Sequence, residues 1–565
     1  MQLKINGKVV AAKPGETILQ ITENIGVNCS DFARKPIAAK IGGEVFSLNY
    51  VPVRVADNNT DRSSIRRAMA ASNGEIYLIC YNDPVGKEVY ARTVQFVLFL
   101  AIHNLWPDAR AKMNCTVGNA LYVEVRADGF DAHVLKTEVK RLVDENIPII
   151  RRRVPLAEAI IRYKDSGQHD KARLLSWRTE TFFDEYYYGD FADYYYGELA
   201  PSTGYMQVWD IIPAEGGFMF LYPNNNAPNQ VSSFASMPKF LSVCNEAERW
   251  CELMGCETVA DLNEMVKDGK IRQLIRVNEA LHEKQFSQVA DMVCASVAKA
   301  VMLAGPSSSG KTTSANRLAT QLRVHGKKPI LMSLDDYYMD REKIKPGLDG
   351  KIDLEHIDTL DTDLFRMHLQ QLLQGESVSL PSFNFKTGKR EWHGESLQLD
   401  ESSIVIIEGL HALNPSLLPK DMDERLVFKL YVSALLPLNL DDHNRIPTSS
   451  LRLLRRTVRD YTTRGASVQQ TMSMWDSVRR GEARWIFPYQ ETADVILNSS
   501  TIYELAVLKK HIFPLLTAIE PEDACYEQVR SVVKILNYVL DADVDDEIPP
   551  TSIVREFIGG NTFYR

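Results

Sequence analysis

The sequence feature that most constrains the fold is an octapeptide near the middle of the chain. It runs Gly305-Pro306-Ser307-Ser308-Ser309-Gly310-Lys311-Thr312 and fits the pattern G-x-x-x-x-G-K-[ST] in full. The two glycines let backbone N–H groups approach phosphate oxygens, and the following helix, expected to begin near Thr313, adds its positive end. The motif predicts a phosphate-binding loop in which Lys311 reaches the β- and γ-phosphates and the Thr312 hydroxyl ligates Mg²⁺.

Short apolar runs precede this loop and recur after it. They are KAVMLAG at 299–305, PILMSLDD at 329–336 and SIVIIEG at 403–409, with helical patterns between them. Runs of this length without polar alternation are typical of strands that are buried on both faces. The alternation of strands and helices predicts a parallel α/β sheet.

The pattern of apolar and polar residues divides the rest of the chain into four further units. Residues 1–60 are expected to form a small β-rich unit that opens with a hairpin turn at Asn6-Gly7. Residues 61–225 have a mixed α+β pattern, and residues 226–295 are mainly helical. The α/β unit spans 296–520 and is followed by a helical, acidic tail at 521–565. The predicted elements outside the α/β unit are helices at 17–25, 92–105, 134–145 and 271–296 and strands at 38–51 and 120–126.

Charge and cysteine usage exclude several classes of protein. The net charge is −9 and the pI is about 5.8, whereas a chain that binds nucleic acid non-specifically along its whole length needs a positive surface. Eight scattered cysteines without a C-x-x-C pair are typical of reduced thiols in a cytoplasmic protein. A strand starting at residue 3 leaves no room for a signal peptide, and the apolar stretch 94–102 is too short to span a bilayer.

Acidic residues follow the second and third apolar runs. Asp335 and Asp336 end the second run, and Glu408 ends the third. Because the carboxyl ends of parallel strands face the ligand crevice, these carboxylates are expected to converge near the phosphate loop. One would be the base for an acceptor hydroxyl, and another would bind Mg²⁺ directly or through water. The alternative for any one of them is that it caps the next helix.

An arginine-rich helix forms a second constellation. In RLLRRTVRDYTTRG, the residues Arg452, Arg455, Arg456 and Arg459 fall at i, i+3, i+4 and i+7 and so share one helix face, and Arg464 follows at the turn. Phosphoryl transfer needs cations over the γ-phosphate, which kinases often supply from a closing lid. A solvated basic face paired with acids explains the spacing equally well.

These segments together resemble the uridine kinase and phosphoribulokinase family of P-loop kinases. The resemblance runs from about Val301 to Leu515 and rests on GPSSSGKTTS, SLDDYY, DLEHIDTLD, IVIIEG, the arginine helix and FPYQETADVILN. It implies an α/β kinase domain that uses ATP and Mg²⁺, with the octapeptide and Thr313 binding the nucleotide and Thr312 and Glu408 on the metal side. It further implies that Asp335 is the catalytic base beside Lys311, Arg459 and Arg464, and that the substrate contacts are Asp335, Tyr337, Tyr338, Glu355, Phe383 and Arg456.

The acceptor site departs from the uridine kinase pattern. Phe383 and Gly388 stand where those enzymes carry a tyrosine and a histidine against the pyrimidine, and Ala466 replaces an expected arginine. A site built to hydrogen-bond its substrate discriminates through those polar groups, so their loss argues against a strict pyrimidine nucleoside site. The acceptor is therefore expected to be a nucleoside or another ribose-like or polyol compound.

The N-terminal half resembles the front of threonyl-tRNA synthetase. Residues 1–60 are similar to its ubiquitin-like (β-grasp) TGS domain, and residues 61–225 are similar to its α+β editing domain, through LWPDARAKMNCTVGNALYVEV and YYYGDFADYYYGELAPST. Arg92, Phe96, Tyr195 and Leu199 stand where the editing pocket carries metal-ligand residues, so neither metal binding nor editing is expected. The resemblance implies ligand sensing, RNA contact or homo-oligomerisation.

Two questions have more than one answer from the sequence, one about the tyrosines of this half and one about the whole chain. The tyrosines of the segment 186–196 either stack on a base or pack between strands and core, and base rates favour packing. For the whole chain, the rivals to a kinase are an ATP-gated RNA-binding protein and a scaffold with a vestigial P-loop. The acceptor-side acids Asp335 and Glu355 argue against the first, and the intact Gly310-Lys311-Thr312 argues against the second.

Overall fold

The computed structural model describes residues 2–27, 31–52, 75–344 and 355–563. Residues 353 and 354, which open the segment DLEHIDTLD, lie outside the described residues, whereas Glu355 lies within them. None of the helices in these ranges is long and apolar enough to cross a membrane.

The first sheet is mixed and holds one short helix against it. Its elements are β1 (Gln2–Ile5), β2 (Lys8–Ala11), α1 (Ile18–Asn24), β3 (Pro36–Ile41), β4 (Glu44–Ser47) and β5 (Glu75–Cys80). The strand order is β2-β1-β5-β3-β4, in which only β1 and β5 are parallel. Asn6 and Gly7 have φ of 46° and 80°, as the predicted hairpin turn requires, and a Thr17–Gln20 capping box starts α1. Because β5 completes this sheet, the unit extends beyond residue 60.

Two antiparallel sheets make up the next region. Its elements are α2 (Pro84–Leu105), β6 (Arg110–Val117), β7 (Ala120–Arg126), α3 (Ala132–Asp144), β8 (Ile150–Pro155), α4 (Leu156–Asp165), α5 (His169–Leu175), β9 (Phe182–Tyr188), β10 (Phe191–Asp193), β11 (Asp210–Ala214) and β12 (Gly217–Leu221). The sheet orders are β11-β12-β7-β6 and β10-β9-β8. Strand β7 has the predicted bounds, and α2 begins before the predicted residue 92, with Pro84 in its first turn.

The tyrosine-rich segment is largely packed into the interior. Tyr186, Tyr194 and Tyr195 are 4%, 1% and 8% exposed, and the Tyr195 hydroxyl donates to Asp193. These three rings therefore follow the packing alternative, and base stacking by them is wrong. Phe96 and Leu199, at two of the positions compared with the editing pocket, are fully buried in the same apolar core.

Three helices lead to a parallel sheet of five strands. The helices are α6 (Pro238–Met254), α7 (Val259–Lys267) and α8 (Ile271–Ala295). The following elements are β13 (Ala300–Ala304), α9 (Lys311–Val324), β14 (Lys328–Ser333), α10 (Thr362–Leu373), β15 (Val378–Asn384), β16 (Lys389–Leu397), β17 (Ser403–Glu408), β18 (Val427–Ser433), α11 (Thr448–Arg464), α12 (Val468–Trp485), β19 (Val495–Asn498), α13 (Glu504–Thr517), α14 (Tyr526–Leu536) and α15 (Arg555–Ile558). The sheet order is β14-β17-β13-β18-β19, and β15 and β16 form a two-stranded hairpin.

Both faces of the five-stranded sheet are covered, as the apolar runs predicted. Val301 and Leu303 of β13 belong to one apolar cluster, whereas Ala300 and Met302 belong to another. The second cluster also contains Cys115 and Tyr122 from the four-stranded sheet of the preceding region. The parallel sheet is thus buried on one side against helices and on the other partly against the N-terminal half.

Candidate active site

The predicted phosphate loop connects β13 to α9 at the carboxyl edge of the parallel sheet. Gly310 is the N-cap of α9 with φ +83°, and Ser308 also adopts a positive φ of 60°. The helix ladder starts with the Ser314 N–H donating to the Gly310 carbonyl, so the preceding N–H groups point out of the helix start. The Lys311 ammonium donates to the Pro306 carbonyl at 3.2 Å and so lies across the loop. This is the geometry of an anion-binding loop.

Glu408 and Asp335 meet beside this loop. The Thr312 hydroxyl donates to Glu408 Oε1 at 3.3 Å, and the Ser333 hydroxyl lies 3.4 Å from the same oxygen. Burial and the nearby Asp335 raise the pKa of Glu408 to about 7, against the opposing charge of Lys311. Burial likewise raises the pKa of Asp335, again opposed by Lys311. Of the three strand-end acids, Asp335 and Glu408 therefore share the field of one lysine, whereas Asp336 accepts a hydrogen bond from the Phe383 N–H instead.

The donors at this point suit a magnesium ion. Hydroxyl and carboxylate oxygens are ligands that Mg²⁺ prefers, and it usually keeps several waters and substrate phosphates in its shell. Thr312 and Glu408 supply one oxygen of each kind within 3.3 Å of each other. In the part of the chain that the structure describes, no group of three or more His, Cys, Asp or Glu side chains could hold a metal by itself. The pair fits a metal shared with a nucleotide.

Two aromatic side chains after β14 have different surroundings. Tyr337 is 1% exposed, and its hydroxyl lies 3.1 Å from His368 Nδ1, so it packs in the core rather than facing a substrate. Tyr338 lies against Phe383, with ring centroids 5.6 Å apart, and Phe383 is itself 8% exposed. Asp336 accepts from the Phe383 N–H at 3.2 Å, which ties the turn carrying Asp335 to the β15–β16 hairpin.

Glu355 adds a half-buried carboxylate to the same region. Its side chain lies against Gly481 of α12, where a Cβ would collide with it. Burial raises the pKa of Glu355 to about 7, and the nearby Arg456 opposes that rise. The predicted acceptor-side acid therefore lies within the electrostatic reach of the arginine helix.

The arginine helix α11 lies with its basic face against the phosphate loop. Arg452 pairs with Glu482 and donates to the Ser307 carbonyl at 3.0 Å, and Arg455 pairs with Glu504 and donates to the Ser308 carbonyl at 3.3 Å. Both arginines are at most 1% exposed. The reading of a solvated basic face is wrong for these two, and neither is free to act from a moving lid.

The remaining arginines of this face have different partners, and Arg464 follows them at the helix end. Arg456 donates to the Ser307 hydroxyl at 2.9 Å, and Arg459 pairs with Asp460 at 3.1 Å. Arg464, at the helix end, is 3.6 Å from Asp460 and more exposed. The charge of Arg459 acts on Lys311, and that of Arg464 acts on Asp335. Arg459 is thus within electrostatic reach of the lysine, and Arg464 within reach of the acid.

Two carboxylates in this site were not found from the sequence. Glu482 Oε1 accepts from the Ser307 N–H at 3.0 Å, and Glu556 Oε2 accepts from the Thr313 hydroxyl at 2.7 Å. Both touch the phosphate loop or its helix from far along the chain. Neither belongs to a spaced motif, so only the fold reveals them.

The fold and site together define a P-loop kinase domain, and comparison with known proteins agrees. The family model "Phosphoribulokinase / Uridine kinase family" matches residues 300–506. A uridine kinase of Brevibacillus brevis is 30% identical over 196 residues, which cover 34% of this chain and 82% of that protein. One of Bacillus pumilus is 30% identical over 197 residues, covering 34% and 83%. The chain belongs to the phosphoribulokinase/uridine kinase family.

Among solved structures, a D-glycerate 3-kinase from Cryptococcus neoformans is 17% identical, with a TM-score of 0.21, over 47% of this chain and 89% of that one. The family match ends at residue 506. Residues 1–299 and 507–565 are therefore outside the matched region.

Proposed function

We propose that this chain transfers the γ-phosphoryl group of ATP, with Mg²⁺, to a hydroxyl of a small acceptor, namely a nucleoside or another ribose-like or polyol compound. The observation that carries the proposal is the meeting of Lys311, Asp335 and Glu408 beside the phosphate loop. A phosphate loop alone serves switches, ATPases and kinases alike. A carboxylate placed to accept a hydroxyl proton is what a transferase needs in addition.

Each group has a distinct part in the proposed reaction. The loop backbone and Lys311 hold the phosphates, while Thr312 and Glu408 hold Mg²⁺, which neutralises phosphate charge when bound. Asp335 orients the acceptor hydroxyl and takes its proton; its raised pKa makes it a stronger base. Arg459 and Arg464 stabilise the charge that spreads over the transferred group.

The walls of the site support the proposed acceptor class. Glu355 is a carboxylate suited to accept hydrogen bonds from neighbouring hydroxyls, with Arg456 beside it. Tyr338 and Phe383 supply an apolar wall. Gly388 has φ +68°, and a Cβ there would lie 2.6 Å from Arg341 Cδ, so this turn disfavours the histidine that a pyrimidine reader would carry. These features support recognition through hydroxyl groups.

The test is ADP production by the purified full chain against a panel of nucleosides, pentoses and polyols. Asp335→Asn is expected to lower kcat on the accepted compound by roughly 10²–10⁴-fold while ADP affinity is kept. Lys311→Ala is expected to lose both transfer and tight ADP binding. Lys328→Ala, an exposed lysine paired with Asp400, is the matched control and should behave as wild type. Transfer by Lys311→Ala at the wild-type rate would refute the proposal.

The N-terminal half is proposed to be a retained synthetase-like shell that senses a ligand, contacts RNA or mediates assembly. The order β2-β1-β5-β3-β4 with α1 between β2 and β3 supports a β-grasp unit. The rival function, an ATP-gated RNA binder, would hydrolyse ATP on addition of tRNA without any acceptor. The same assay, run with tRNA in place of the metabolite panel, separates the two.

A further inference from the structure

Residues 545–563, here called the C-terminal segment, are packed beside the phosphate loop. Ile553 and Phe557 of this C-terminal segment are fully buried. The Ser552 hydroxyl donates to Glu279 of α8 at 2.7 Å, and the Arg455 guanidinium lies over the Phe557 ring at 4.9 Å. The segment is thus fixed to the kinase domain from two sides, although it lies wholly outside the family-matched residues 300–506.

One contact of this segment is with the loop glycine. A Cβ placed on Gly310 would lie 2.6 Å from Ile553 Cγ2. Real Cβ atoms do not approach this closely, so the C-terminal segment and the end of the phosphate loop are packed backbone to side chain. A displacement of the C-terminal segment therefore changes the packing at the end of the phosphate loop, and the reverse also holds.

A second contact places a carboxylate on the phosphate-binding donors. Glu556 Oε2 accepts from the Thr313 hydroxyl at 2.7 Å and from the Thr313 N–H at 3.3 Å, and the Asn561 amide lies 3.4 Å from the same hydroxyl. The Thr313 N–H belongs to the first turn of α9, ahead of the Ser314 N–H that begins the helix ladder. Donors in this turn are those that a helix offers to an anion.

The charge of Glu556 reaches the rest of the site. Its field acts on Lys311 and on Glu408, beside the stronger effects of the carboxylates and lysine already described. A phosphate that accepted from the Thr313 N–H would bring a second negative group to the donor that Glu556 occupies. Like charges at that separation repel strongly where water is scarce, so phosphate and carboxylate exclude each other there.

We propose that Glu556 competes with a phosphate of the bound nucleotide for Thr313, so that the C-terminal segment sets the nucleotide affinity of the site. The inference rests on the proposed nucleotide site and deepens it. Nucleotide binding moves Glu556 off Thr313, and the packing of Ile553 on Gly310 carries that movement into the segment. The C-terminal segment is therefore a built-in restraint on nucleotide binding that the family-matched region alone does not contain.

The test compares ADP binding by calorimetry, with Mg²⁺, in full-length variants. Glu556→Gln keeps the size and a hydrogen-bond acceptor but removes the charge, and its Kd for ADP is expected to fall about tenfold. Glu547→Gln is the matched control, because Glu547 belongs to the same segment but pairs with Arg272 and Arg276 of α8. Its Kd should stay within twofold of wild type. Equal or weaker ADP binding by Glu556→Gln overturns the inference.

A second measurement keeps the inference testable if Glu556→Gln fails to fold. In the wild-type chain, saturating ADP is expected to speed hydrogen exchange at the amides of residues 553–563, and unchanged or slower exchange there overturns the inference. Failure of the proposed function has a different signature, namely no difference in ADP binding between wild type and Lys311→Ala. The two failures are thus distinguishable.

Discussion

The buried pair of Arg452 and Glu482 is the most direct test of how the phosphate loop is held. Arg452 is 1% exposed at its side chain and Glu482 is 0% exposed. Glu482 also accepts from the Ser307 N–H, and Arg452 donates to the Ser307 carbonyl. Arg452→Met keeps an apolar stem but leaves a buried carboxylate without its main partner, which costs about 3–5 kcal/mol in free energy of unfolding.

The chain offers a matched control on the same carboxylate. Arg479 lies 3.5 Å from Glu482 but its side chain is 41% exposed, and an ion pair of that kind contributes less than about 1 kcal/mol. At about 2–4 °C per kcal/mol for a domain of this size, Arg452→Met should lower the melting temperature by roughly 6–20 °C. Arg479→Met should lower it by less than about 4 °C.

The assay is scanning calorimetry of the full chain, using the transition that shifts when ADP is added. The double variant Arg452→Met/Glu482→Gln should regain more than half of the lost stability, because the unpaired charge is gone. Equal shifts for Arg452→Met and Arg479→Met would refute the reasoning, since the two differ mainly in burial. So would a double variant less stable than Arg452→Met.

Two further predictions concern Glu355 and Gly310. Burial raises the pKa of Glu355 from 4.5 to about 7, so the folded state holds its proton more tightly and the resulting stability, present below pH 4.5, is lost as pH rises to 7. Glu355→Gln should thus raise the free energy of unfolding at pH 8 by up to about 3 kcal/mol, seen as a higher melting temperature, and should leave it unchanged at pH 4.5. An equal effect at both pH values would contradict this. Gly310→Ala combines a positive φ with the Ile553 contact and should cost more unfolding free energy than Gly326→Ala, which has φ +73° but open space around its Cβ position. Gly310→Ala should cost less unfolding free energy in an Ile553→Ala background than in the wild type; an equal cost in both backgrounds would mean that the contact is not the cause.

The phosphate loop was predictable because its chemistry permits few sequences. Gly310 needs a left-handed backbone and Lys311 must follow it, so spacing identified the loop, and the apolar run before it indicated the preceding strand. Strand β18 was not singled out, since VFKLYVS carries a lysine within an otherwise apolar run. The central position of β13 between β17 and β18 depends on long-range pairing that no local pattern encodes.

The arginine helix shows what spacing cannot decide. Periodicity correctly placed Arg452, Arg455, Arg456 and Arg459 on one helix, but it does not say what that face meets. The buried members are paired with Glu482 and Glu504, which lie 30 and 49 residues further along the chain. Tyr337 is a similar case, since its position after the strand predicted a site residue and tertiary packing put its hydroxyl against His368.

The loop that precedes α11 in the kinase domain makes hydrogen bonds and an ion pair with the N-terminal half. Asn439 donates to the Met113 carbonyl, and the Met113 N–H donates to the Asp442 carbonyl, both at 2.8 Å. His443 and Lys171 both lie 2.6 Å from the buried carboxylate of Asp193.

Burial alone would raise the pKa of Asp193, but these two partners hold it well below its ordinary value. Separation of the halves would take His443 away from Asp193 and Lys171, which stay paired with each other in the N-terminal half, and the loss of one partner of a buried charge is costly. Since the same loop leads directly into α11, whose arginines hold the phosphate loop, the N-terminal half supports the catalytic edge of the sheet mechanically. The contacts of Asp193 are thus connected to the phosphate loop through His443, the start of α11 and the hydrogen bonds that Arg452 and Arg455 donate to that loop.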